Sequence, residues 1–423
     1  MKVSRRSLVP PFAVMEVLAA ANARRDAGES IINLCAGQPA TGAAWVVRER
    51  AMAVLESGDL GYTEAIGVPA LRRAIAQHYG RWYDVDVSPD RVAVATGSSG
   101  AFVLAFLAAF DVGDRVALAR PGYPAYKNIL RSLGCEVVEL ACGPETRYQP
   151  TVAQLTQAYY EGGLDGLILA SPANPTGTMV SPAELAALAR WCAEYDVRLI
   201  SDEIYHGITY GDGGEGAGAS TAGAVGATAP AGSVRASAPA GSVRRAGQAT
   251  AAQYVAEGAV VVSSFSKYWA MTGWRLGWLV LPPDLVPAVD ALAGNVALCP
   301  PALAQHAAVA AFSEEGYAAA EADVAGYAET RALLLSRLPE LGWSRVAPAD
   351  GAFYLYADIS SSGLDSVTWC ARLLDEAGVA LTPGTDFDGV DGGDWVRLAF
   401  PVGPRLIGEA VDRIVAWQDS VRR

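Results

Sequence analysis

The sequence predicts an α/β protein: a large domain on a mixed, mostly parallel seven-stranded sheet, with a smaller α+β domain beside it. Three observations lead there. From about residue 91, short β-branched runs alternate with longer helical patterns, as in a parallel sheet covered by helices. Seven of the runs are too short and continuous to be amphipathic helices, and most end at Gly, Pro, Ser or Asp. At 423 residues the chain exceeds one ordinary core, which calls for a second domain.

The seven candidate strands are Val92–Ala95, Arg115–Ala119, Glu136–Leu140, Leu167–Ala170, Arg198–Ser201, Ala259–Val262 and Leu276–Leu281. Downstream, a helical stretch around Ala304 to Leu338 leads to strand-like Ala352–Ala357, a helix, strand-like Trp395–Phe400 and a C-terminal helix. The expected division is an arm and part of the small domain over 1–45, the large domain over 46–290 and the small domain over 291–423. Gly211 to Thr250 stands apart. It is dominated by Gly, Ala and Ser, lacks aromatics, Ile and Leu, and repeats APAGSVR at Ala229–Arg235 and Ala238–Arg244. So few large apolar groups cannot offset the entropy of ordering, so the segment is expected to be a disordered insertion.

Composition narrows the function classes. Hydrophobic residues make up 52% and charged residues 18%, as in a well-buried globular enzyme. A formal net charge of -13 argues against a nucleic-acid scaffold, which needs a basic surface. The six cysteines are scattered, with no CxxC pair, and read as reduced thiols. The three histidines are equally scattered, and no metal is expected. The longest apolar run, Ala101 to Phe110, is about half a membrane span. Ser4-Arg5-Arg6-Ser7-Leu8 resembles a twin-arginine export signal, but Pro10, Pro11 and Glu16 interrupt the apolar core such a signal needs. An amphipathic N-terminal arm and a cytoplasmic location are expected instead.

In open α/β sheets, ligands bind outside the carboxyl ends of the strands, so the residues after each strand matter most. The densest signal is Ser263 to Trp278, SSFSKYWAMTGWRLGW. It sets Lys267 among small hydroxyl residues, with Arg275 eight positions later between glycines. A lysine becomes a Schiff-base nucleophile when partial desolvation lowers its pKa. Ser264, Ser266 and Arg275 together suit a phosphate, for which arginine is a planar donor fork.

This segment resembles the cofactor-lysine signature of the class I/II aminotransferases, the fold-type I enzymes of pyridoxal 5'-phosphate (PLP). The likeness covers essentially the whole chain apart from the insertion. It implies that Lys267 holds the cofactor covalently and that Arg275, Ser264 and Ser266 bind its phosphate. In Thr96-Gly97-Ser98-Ser99-Gly100, at the start of a helical run, Ser98 and Ser99 complete the phosphate cup. Tyr123, in Pro121-Gly122-Tyr123-Pro124, matches the family's aromatic that stacks on the pyridine ring. Asn174, in Ser171-Pro172-Ala173-Asn174-Pro175, matches the amide that serves the cofactor's phenolic oxygen and the substrate carboxylate.

Asp202 fits the carboxylate that keeps the pyridine nitrogen protonated, so that electrons drain into the ring. Tyr205, three residues on, is expected to share a helical face with Asp202 and to bond the phenolic oxygen, while Glu203 reads as structural. Arg397 matches the arginine that grips the substrate α-carboxylate, and Arg405 reads as a surface residue. Gly37 is expected close to bound substrate, where no side chain fits. Tyr62 matches a tyrosine extended to the neighbouring subunit's phosphate, which implies a homodimer.

The implied activity is amino transfer from an amino acid to a 2-oxo acid by a PLP/pyridoxamine phosphate ping-pong cycle. A PLP-dependent carbon–sulfur β-lyase is the alternative on the same scaffold. An effector-sensing transcription regulator is disfavoured, because the segment before Ile31 is too short for a winged helix.

Overall fold

The computed structural model describes residues 1–58, 60–210 and 248–421. In chain order the strands are β1 (Ile32–Asn33), β2 (Val92–Ala95), β3 (Arg115–Arg120), β4 (Glu136–Ala141), β5 (Gly166–Ala170), β6 (Arg198–Asp202), β7 (Val260–Ser264), β8 (Gly277–Val280), β9 (Tyr354–Asp358), β10 (Val379–Ala380), β11 (Thr382–Pro383) and β12 (Trp395–Ala399).

A seven-stranded sheet runs β2-β8-β7-β6-β5-β3-β4. Its pairs are parallel except those made by β8, which is antiparallel to both β2 and β7. The central strands β5, β6 and β7 are almost wholly buried, which explains their continuous aliphatic runs: both faces are covered. The seven predicted strands all occur, with ends displaced by one or two residues. The apolar run Ala101 to Phe110 lies mostly in the helix Gly97–Ala109, packed against β7 and β8, and none of the described helices is long and apolar enough to cross a membrane.

The C-terminal part holds a second sheet, β11-β12-β9, and the short parallel pair β1-β10. Register in β1-β10 joins Ile32 to Val379 and Asn33 to Ala380, so the N-terminal segment is built into the C-terminal part. The helix Ala13–Asp26 lays Val14, Val17, Leu18 and Ala21 against Leu374 and Ala380, and its first amide is held by Asp386 at 3.1 Å. That stripe has i, i+3, i+4, i+7 spacing, as an amphipathic arm requires.

The helical stretch expected from Ala304 to Leu338 is built in pieces: helix Ala302–Ala308 passes through a 3-10 turn, and Ser313 caps a new helix, Glu314–Ser336, by accepting from the Gly316 amide at 3.1 Å. One expectation needs correction: the insertion expected over 211–250 ends too late. Gln248 and Thr250 are buried and hydrogen-bonded, so the last three residues belong to the fold, while 211–247 with the heptapeptide repeats lie outside the described residues.

Candidate active site

The carboxyl ends of β5, β6 and β7 carry Ser171–Asn174, Asp202 and the turn to Lys267 respectively. The parallel register holds them side by side: Ala170 pairs with Asp202, and Asp202 with Val262. Lys267 is half-buried, and its Nζ donates to the Gly37 carbonyl at 2.5 Å, 5.7 Å from the centre of the Tyr205 ring. Burial, with the positive fields of Arg397 and Arg275, lowers its pKa to about 8, while Asp202 pulls it back up. An amine so placed is a nucleophile and base near neutral pH.

Asp202 is buried, 3% exposed, and has a donor on each oxygen: the Tyr126 hydroxyl on Oδ2 and the Ile204 amide on Oδ1 at 3.1 Å. Burial pushes its pKa up to about 6; the two donors and Lys267 oppose that rise. Tyr126 was not singled out by sequence. Its only signal there is its position, three residues after Tyr123 and therefore one helical turn along the same face. The two rings meet edge-on with centroids 5.3 Å apart. Burial raises the Tyr123 pKa to about 12, which leaves it a neutral phenol.

Tyr205 lies in an irregular turn, not on a helix: the His206 amide bonds Glu203 and the Ile208 amide bonds Tyr205. The helical face expected to bring it beside Asp202 is therefore absent, and the turn does that work. Its hydroxyl meets that of Tyr354 at 2.6 Å. The Tyr354 ring in turn lies 4.6 Å from the Arg397 guanidinium carbon. Gly37 packs on this tyrosine, and any Cβ there would overlap the Tyr354 hydroxyl. The glycine requirement is thus set by a protein side chain.

Arg397, on β12, is 3% exposed. It donates to Asn174 Oδ1 at 2.9 Å, to Thr382 Oγ1 at 3.2 Å and to the Cys35 carbonyl, and its ring contact to Phe387 is 4.7 Å. Its Nε is buried with no partner, and among the described residues no carboxylate lies within 4.0 Å. A guanidinium without a counter-ion in a low-dielectric site is a carboxylate receptor. Arg405, by contrast, is exposed and paired with Glu409 at 3.6 Å.

The third part is an anion cradle. Helix Gly97–Ala109 begins beside β8, and Gly97 has φ +68°. A Cβ on Gly97 would overlap the Arg275 guanidinium, and one on Gly277 would come within 2.8 Å of the Ser98 amide nitrogen. The glycines therefore let Arg275 and the free amides of the helix start converge. Ser98 is half-buried and Ser99 exposed. Ser264 Oγ donates to the Leu276 carbonyl at 3.3 Å and accepts from the Ser266 amide at 2.9 Å. Its one proton is the part a phosphate would recruit. Ser266 is buried in the same turn, its carbonyl held by Thr272 at 2.8 Å. Tyr62 is 85% exposed and stays apart from the site of its own chain.

The donor set fits PLP: a cradle for a dianionic phosphate, a lysine for the aldehyde, and a buried carboxylate for a cationic ring nitrogen. Comparison with known proteins places the chain in a family. Residues 29–414 match the family described as Aminotransferase class I and II. The chain is 50% identical over 420 residues to valine–pyruvate aminotransferase of Mycobacterium tuberculosis, covering 99% of both chains. It is 31% identical to aspartate aminotransferase of Thermotoga maritima, over 99% of this chain and 100% of that one. Among solved structures, an aminotransferase from Mycobacterium tuberculosis superposes with a TM-score of 0.89 at 49% identity, over 99% of this chain and 100% of that one. Aspartate aminotransferase from Thermus thermophilus with maleate gives 0.85 at 30%, over 98% and 99%. The chain belongs to the class I and II aminotransferases.

Proposed function

We propose that this aminotransferase binds PLP through the residues above and moves an amino group between a neutral, aliphatic amino acid and a small 2-oxo acid such as pyruvate. The observation that carries the reading is the Lys267 amine, kept at a pKa of about 8 and facing Asp202. When bound, PLP supplies an electron sink that stabilises negative charge at the substrate α-carbon. The rest is done by the chain. Arg397 and Asn174 bind the α-carboxylate and orient the α-carbon bonds. Asp202 would face the ring nitrogen and keep it protonated, and Tyr205 would donate on the phenolic side. The Lys267 amine would take the proton from the substrate α-carbon and give it back, as base and then acid.

Two facts favour a neutral substrate side chain. The cations flanking Tyr123 are already paired: Arg120 with Asp388 at 3.5 Å and Asp391 at 3.2 Å, Lys127 with Glu139 at 3.3 Å. The relative at 50% identity is named for valine and pyruvate. The exposed Tyr62, and an apolar cleft of about 250 Å³ lined by Thr96, Ser99, Val103, Val296 and Cys299, support a homodimer in which each subunit completes the other's phosphate site. We place the enzyme in the cytoplasm.

The test is a panel of amino acids offered with pyruvate and 2-oxoglutarate. Valine with pyruvate should give alanine and the branched 2-oxo acid with ping-pong kinetics. Steady release of ammonia and pyruvate from a single amino acid would indicate a lyase instead.

A further inference from the structure

Beside Asp202 lies a second buried carboxylate that the reaction does not use. Glu203 is 2% exposed and accepts three hydrogen bonds: Ser201 Oγ at 3.1 Å, Thr250 Oγ1 at 2.7 Å and the Ala251 amide at 2.7 Å. Its own amide donates to the Val262 carbonyl at 2.8 Å, and its carbonyl accepts from Ser263 Oγ at 3.3 Å. One residue thus ties β6 to the end of β7, four residues before Lys267, and to Thr250 and Ala251.

The second half of the staple is Gln248. Its Oε1 accepts from the Gly207 amide at 2.9 Å, and its Nε2 donates to the Tyr83 hydroxyl at 2.8 Å, which meets His206 Nδ1 at 2.6 Å. On the departing side, Tyr210 is fixed by its hydroxyl to the Ala352 carbonyl at 2.5 Å. The Asp202–Tyr210 segment and the Gln248–Ala251 segment are therefore stitched together directly.

We propose that Glu203 is a positioning residue for Asp202 and Tyr205, acting as the buried acceptor that ties their segment to Thr250, Ala251 and the end of β7. This rests on the assignment of Asp202 and Tyr205 to the cofactor site. Three donors converging on one buried carboxylate favour its charged form. Burial, with the field of Asp202, pushes its pKa up to about 7 against those donors. The titratable groups around it are Asp202 on its own strand, His206 at 3.3 Å, Tyr83 beyond the histidine and Tyr79 from the helix Pro69–Tyr83. Burial lowers the His206 pKa to about 3, so it brings no positive charge.

The experiment compares Glu203→Gln, Glu203→Asp and Glu203→Ala. Readouts are the dissociation constant of PLP from the apoenzyme and amide exchange at 203–210 and 250–251 in the apoprotein. Glu203→Gln keeps the shape but turns one acceptor oxygen into an amide that faces donors, so PLP should bind about tenfold more weakly. Glu203→Asp keeps a carboxylate for those donors and should recover part of that affinity, a rescue that loss of packing alone does not produce. Glu203→Ala should add faster exchange at Ala251. Parental affinity in Glu203→Gln would overturn the proposal, as would Glu203→Asp binding PLP no better than Glu203→Gln. If Glu203→Ala does not fold, the other two variants decide. Failure of the cofactor assignment itself would show differently, as absent PLP binding in the parent.

Discussion

Arg397 donates to the side-chain oxygen of Asn174 at 2.9 Å, and its Nε is buried without a partner. A buried cation held by neutral groups is poised for an anion, and the amide beside it fixes the direction of approach. Arg397→Lys keeps the charge and loses the planar fork. The KM for the amino donor should rise by about ten- to a hundredfold, with folding intact by circular dichroism. Asn174→Ala should raise it less, because the guanidinium remains.

Tyr126 donates to Asp202 and so favours its ionised form. Removing that donor with Tyr126→Phe should raise the Asp202 pKa above its present value of about 6. PLP binding, which needs the carboxylate charged, should weaken by about 1.5–3 kcal/mol, with its acid limb moved to higher pH. Titration of PLP affinity against pH in the parent and in Tyr126→Phe checks the sign.

The pH profile of cofactor capture follows from two groups. Asp202 has a pKa raised to about 6, so its charge, and PLP affinity with it, should fade as pH drops through that value. Lys267 has a pKa lowered to about 8, so the neutral nucleophile should accumulate as pH rises through that value. The rate of PLP capture by the apoenzyme, followed by stopped-flow absorbance, should climb from pH 6 and level off above about 8.

Gly37→Ala puts a methyl group onto the Tyr354 hydroxyl. Because Tyr354 also bonds Tyr205, the disturbance should reach the cofactor's phenolic side. kcat/KM should fall by at least about tenfold, a misplacement effect. Tyr354→Phe in the same chain should recover only part of the loss, since ring carbons also lie within 2.8 Å of the added Cβ.

Much of this was legible in the sequence because short strands in a parallel sheet end where ligands bind. Lys267, Asp202 and Asn174 each follow a continuous aliphatic run, and each run became the predicted strand. Tyr126 was hidden because it sits inside a helix, where an aromatic usually means core, and its hydrogen bond depends on the helix after β3 reaching the end of β6. Tyr205 reaches Tyr354 from a turn and not from the expected helical face, because only tertiary contacts specify that turn. The start of the returning chain at Gln248 was missed because Gln-Ala-Thr is compositionally like what precedes it; Glu203, far away in sequence, makes it part of the core.

The most direct test of the account is the absorbance spectrum of Lys267→Ala reconstituted with PLP, read alongside transamination. The account predicts loss of the pH-dependent absorbance of lysine-bound cofactor and loss of turnover, with PLP still captured non-covalently by Arg275, Asp202 and the helix start at Gly97. Near-parental turnover and an unchanged spectrum would contradict it.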